Sequence, residues 1–159
     1  MGTRVAALAS LVLAALWSGA TLFFTVVVTR SAFRVLPTRA LAGTLVGDAL
    51  PALFMGGLAT GAVLIALALP AAAPARATRI ALGVIALAGC GVGQFVINPR
   101  LHRLREQLAG PVDALAAGDP LRIEFGRLHV ASIGTLGLAL VAMVAVTLAL
   151  AWSLTREVP

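Results

Sequence analysis

Charged residues divide this chain into four long apolar runs. Val5 to Thr29 lies between Arg4 and Arg30, and Ala49 to Ala75 between Asp48 and Arg76. Ile80 to Pro99 lies between Arg79 and Arg100, and Leu128 to Thr155 between Arg127 and Arg156. The runs are 25, 27, 20 and 28 residues long. A helix needs roughly 20 apolar residues to cross a bilayer core, so each run can cross unaided. Inside lipid every backbone N–H and C=O must be satisfied within the segment, which selects helices. The pattern predicts an all-α integral membrane four-helix bundle, a single transmembrane domain over 1–159, with spans near 5–29, 49–70, 80–98 and 128–153.

The connections follow from the breakers. Pro70 to Arg76 is short and proline-punctuated, a tight turn between spans two and three. Arg100 to Leu108 carries Leu101, Leu104 and Leu108 at i, i+3 and i+7, with charged residues between them. That spacing predicts a separate amphipathic helix at the interface over 100–108. Gly110-Pro111 and Gly118-Asp119-Pro120 bracket the rest of this loop, and Leu121 to Arg127 leads into span four. Pro99 is expected to end span three, and Pro51 to sit in the first turn of span two. At the N-terminus the apolar run is longer than the roughly 7–15 residues of a signal-peptide core, so a retained first helix is expected.

Composition changes the picture only by confirming the solvent. Sixty per cent of the residues are hydrophobic and 11% charged, against about 25% charged in a soluble domain. The net charge is +6, and all 12 basic residues are arginine. No basic face with interleaved aromatics accompanies that charge, so the expected partner is the lipid bilayer and not nucleic acid. The connections over 30–48 and 100–127 hold 8 arginines and the opposite side 4. The positive-inside rule then places those connections in the cytoplasm and both termini outside, in a multi-pass protein of the cell inner membrane.

Helices in lipid associate through small residues that let backbones approach. Gly43/Gly47, Gly57/Gly61 and Gly89/Gly93 each form a GxxxG pair, and Gly19, Gly57, Gly61, Gly89 and Gly93 are the expected packing positions. A homo-oligomer or a membrane-protein partner is compatible with these stripes. Few residues can carry chemistry. His129 opens span four; an imidazole there could ligate haem iron or copper or relay protons, and the plainer reading is an interfacial hydrogen bond to a loop carbonyl. Asp48 could cap span two. Asp48, Asn98, Arg100 and His129 all fall at the arginine-rich ends of their spans, where they are expected to form one polar cluster. Gln94 and Thr25 read as interhelical glue. Cys90 reads as a small buried hydrophobe. The chain lacks GxSxG, HExxH and CxxC, so no catalytic set and no metal site is expected, with His129 the one weak candidate.

Several of these stretches resemble the transmembrane protein 205-like family. They are Ser18-Gly19-Ala20, Phe33-Arg34-Val35-Leu36-Pro37, Gly43 to Pro51, Asn98-Pro99-Arg100, and Phe125-Gly126-Arg127-Leu128-His129-Val130-Ala131-Ser132. The resemblance covers nearly the whole chain. It implies a four-span helical membrane protein without a settled activity, whose mammalian relative is associated with resistance to platinum drugs. Some relatives carry a histidine early in span one. Ser10 stands near that place here, which argues against a bis-histidine haem or copper site built on His129. The resulting expectation is a small non-enzymatic transport-associated, stress-response or assembly factor without a bound cofactor. The alternatives are a haem-, copper- or quinone-linked oxidoreductase, and an accessory subunit of a larger membrane complex.

Overall fold

The computed structural model describes residues 2–108 and 110–156. They form four long helices: α1, Gly2–Val35; α2, Arg39–Ala68; α3, Ala75–Gln107; and α4, Pro120–Arg156. There is no strand among the described residues. Neighbours in sequence are neighbours in space: α1 packs on α2 and α4, and α3 packs on the same two from the other side. This is an up-down-up-down bundle. All four helices are long and apolar enough to cross a membrane, and only 22–33% of each helix's most apolar stretch is buried inside the bundle. Val5, Leu16, Phe95, Val130, Val141, Leu148 and Trp152 face outward. Water would penalise that shell, and lipid does not. The chain is a multi-pass membrane protein.

The helices overrun the charge-free runs at the arginine-rich end. Arg100 to Leu108 is not a separate interfacial helix; its residues through Gln107 continue α3, and Leu101 and Leu104 are buried. Pro99 does not end the span, because a π turn over Gly93–Ile97 precedes it. In a regular ladder the proline ring would collide with the carbonyl four residues back. The wider turn, closed by the Asn98 N–H on the Gly93 carbonyl, moves that carbonyl aside. A second π turn, Phe24–Val28, lies in α1. The Thr29 N–H closes it on the Phe24 carbonyl, which also accepts from the Thr29 hydroxyl at 3.1 Å.

Pro51 likewise falls in the interior of α2 rather than in its first turn, because the helix starts at Arg39. Thr38, not Asp48, caps that helix: its hydroxyl accepts from the Leu41 N–H at 3.2 Å. Asp119 caps α4, accepting from the Leu121 N–H at 2.8 Å, and Pro120 occupies the first turn, where its missing N–H costs nothing.

Glycines set the closest approaches. A Cβ on Gly61 would meet the Gly83 carbonyl at 3.4 Å, and one on Gly83 would meet the Gly61 carbonyl at 3.5 Å, so α2 and α3 cross backbone to backbone. A Cβ on Gly89 would stand 2.8 Å from the Thr135 carbonyl, marking the α3–α4 crossing. Gly57 makes room for Cys90 and the Trp17 indole, and Gly93 for the Phe54 ring. Trp17 also donates its indole N–H to the Leu53 carbonyl at 2.9 Å, locking α1 to α2. Gly19 is exposed, with open space where a Cβ would be, so the interface expected there is not one inside the bundle.

Candidate functional site

At the arginine-rich end the four helices line a cavity of about 780 Å³. Each helix contributes one face. α1 gives Thr21, Phe24, Thr25, Thr29 and Phe33; α2 gives Arg39, Gly43, Gly47 and Leu50. α3 gives Asn98, Leu101, Arg105 and Leu108, which recur at i, i+3, i+7 and i+10. α4 gives Arg122, Phe125, His129, Ile133, Leu136 and Leu140, again at helical spacing. The loop between α3 and α4 closes part of the mouth with Pro111, Val112 and Asp113.

The lining is graded. Arg39, Arg105, Arg122 and Asp113 stand at the level of the helix ends, and Leu50, Leu136 and Leu140 lie further in. Thr21 is fully buried on this wall and its hydroxyl has no partner among the described residues. The neighbouring hydroxyls are committed: Thr25 donates to the Thr21 carbonyl at 2.8 Å, and Thr29 to Phe24. One π turn supplies Phe24 and Thr25 to the wall, and Asn98 directly follows the other. Such turns rotate a helix face locally and recur at functional sites.

Arg105 is the pivotal side chain. It is half-buried, and its guanidinium fills the notch left by Gly47, where a Cβ would collide with it. It donates to the Gly43 carbonyl at 3.4 Å and stands 5.7 Å from the centre of the Phe125 ring, within cation–π range. Phe125 in turn stacks on His129, with ring centroids 6.2 Å apart and an interplanar angle of 8°. Pro51 adds to this notch by removing the N–H that would otherwise bond the Gly47 carbonyl. Gly43, Gly47 and Pro51, four residues apart on α2, thus form one groove for a side chain from α3. Arg122 braces the mouth, donating to the Leu115 carbonyl at 2.7 Å.

Of the four residues expected to cluster, the half-buried Asn98 and the exposed His129 line the cavity, whereas Asp48 and Arg100, also exposed, do not. The cation that enters is Arg105, with Arg39 and Arg122 beside it. His102 is exposed. Among the described residues no three His, Cys, Asp or Glu side chains are grouped as a metal site would require.

One family profile, described as a domain of unknown function (DUF4149), matches residues 12–109. That is more than half of the chain, which belongs to this family. The matched region carries Arg39, Asn98 and Arg105; α4, with Arg122, Phe125 and His129, follows it. No curated protein and no solved structure matches the chain.

Proposed function

We propose that this family member works by binding rather than by catalysis, as a small transport-associated, stress-response or assembly factor whose working part is the cavity at the arginine-rich end. The observation that carries the reading is the cavity itself. Its 780 Å³ falls within the roughly 300–1,000 Å³ of small-molecule sites, and its lining is mostly apolar with a few convergent polar groups. The resemblance to the transmembrane protein 205-like family agrees with a transport or stress role. With 8 arginines against 4, the positive-inside rule supports a bacterial inner-membrane protein whose cavity opens to the cytoplasm and whose termini lie outside. Reporter fusions at both termini and within the α3–α4 loop test that orientation.

Native mass spectrometry of the chain purified in a neutral maltoside detergent tests the binding. A small molecule retained by the wild type and absent from Gly137→Leu is the expected result. Gly137 lines the cavity, and among the described residues no atom lies within 4 Å of where its Cβ would be, so a larger side chain there starts into open space. Equal occupancy of the two proteins would remove the cavity from the mechanism.

A second reading rests on His129, which stacks on Phe125 at the cavity wall: a haem- or quinone-linked oxidoreductase. A Soret band in the purified protein that disappears in His129→Ala would favour it.

A further inference from the structure

Resting on that reading, we infer that the cavity takes an amphiphile with one anionic head, a carboxylate or a phosphate, on a linear hydrocarbon chain, and that Arg105 anchors the head. Among the described residues three guanidinium groups, Arg39, Arg105 and Arg122, line the cavity against one carboxylate, Asp113. A guanidinium carries five N–H donors. Arg105 places one on the Gly43 carbonyl at 3.4 Å and turns a face to the Phe125 ring. Neither partner neutralises it. A half-buried cation at the cavity mouth favours an anion close to it, and the fork of a guanidinium suits the paired oxygens of a carboxylate or phosphate.

The shape selects the rest of the ligand. Arg122 to Leu140 on α4 spans 18 residues, about 27 Å of helix at 1.5 Å each. The lining runs along that length, which suits an extended chain. Leu50, Leu136 and Leu140 give the cavity an apolar inner end. A free fatty acid and an acidic membrane lipid share this chemistry.

The test uses the full chain in neutral maltoside micelles and three probes: dodecyl phosphate, dodecanol with the same chain and no charge, and inorganic phosphate with the same head and no chain. One dodecyl phosphate per protein is expected, with at least tenfold weaker binding of dodecanol and no detectable binding of inorganic phosphate. Arg105→Gln should weaken dodecyl phosphate at least tenfold, and Arg105→Lys should recover part of the loss. Should Arg105→Gln fail to fold, Arg39→Gln, at an exposed position, is expected to weaken it severalfold. Equal binding of dodecanol and dodecyl phosphate, abolished by Gly137→Leu, would overturn the anionic head and leave the cavity reading standing. Failure of both alkyl probes to bind would overturn the cavity reading as well. Displacement by oleate alone identifies a free acid as the source, and displacement by phosphatidylglycerol nanodiscs a membrane lipid. Displacement by neither overturns the inference.

Discussion

The α3–α4 crossing gives the sharpest quantitative test of the packing. In Gly89→Ala the new Cβ would stand 2.8 Å from the Thr135 carbonyl oxygen. Ordinary van der Waals contact begins near 3.4 Å, so the two backbones must separate by about 0.6 Å. The obstacle is a helical carbonyl that cannot rotate away, and Ala139 stands just behind it at 3.4 Å. Overpacking of this kind costs about 1–3 kcal/mol. Replacing a helical glycine by alanine returns about 1 kcal/mol of helix propensity, which leaves a net loss of about 0–2 kcal/mol. Gly19→Ala and Gly134→Ala are the controls. Neither has an atom within 4 Å of the new Cβ, so both keep the propensity gain. The difference between Gly89→Ala and the controls isolates the clash, about 1–3 kcal/mol, or about a 5- to 150-fold change in the unfolding equilibrium. Reversible unfolding in mixed maltoside–dodecyl sulfate micelles, followed by circular dichroism, measures it. If Gly89→Ala unfolds at the same dodecyl sulfate fraction as Gly19→Ala, the close approach is not what holds α3 to α4.

Other expectations follow from single contacts. Trp17→Phe removes the indole donor from the Leu53 carbonyl and should lower stability by about 1 kcal/mol in the same assay. Gly47→Ala would displace the Arg105 guanidinium from its notch; since that side chain is flexible, the bundle should stay folded while dodecyl phosphate binding falls, and unchanged binding would show that the notch does not position Arg105. Gly137→Leu should leave the unfolding midpoint unchanged or raised, because its Cβ enters open space and leucine is the better helix former; a large drop would show that the space beyond the Cβ is too small for the side chain. Cys90, fully buried in the core, should resist a maleimide reagent in maltoside and react fully once dodecyl sulfate unfolds the chain; rapid native labelling would contradict the packing of Gly57 against it.

The chemistry of the site was only partly legible in the residues. Asn98 and His129 announced themselves as polar groups at span ends. Arg105 did not, because the charged segment after Pro99 reads as a solvated helix if the span stops at the proline. The π turn over Gly93–Ile97 breaks the 3.6-residue phase, so counting faces from span three into 98–108 leads to the wrong side. A signal did exist: Asn98, Leu101, Arg105 and Leu108 share a helical face, as do Arg122, Phe125 and His129. Phe125 and Arg105 meet only because α3 and α4 both extend beyond the membrane-length runs.

By itself, the amino-acid sequence determined the solvent and the number of crossings. Placing charge in hydrocarbon costs several kilocalories per mole, and that penalty acts locally, so charge-free runs can be counted without knowing what they touch. It also determined which small residues allow backbones to approach, though not which of them do: Gly57 and Gly89 meet neighbours and Gly19 faces away. Tertiary structure alone decided which arginine turns inward. That choice depends on a notch built by Gly43, Gly47 and Pro51 on one helix, and on a rotation introduced by a π turn in another. No local pattern encodes the meeting of two such features, since neither has a consequence until the helices pack.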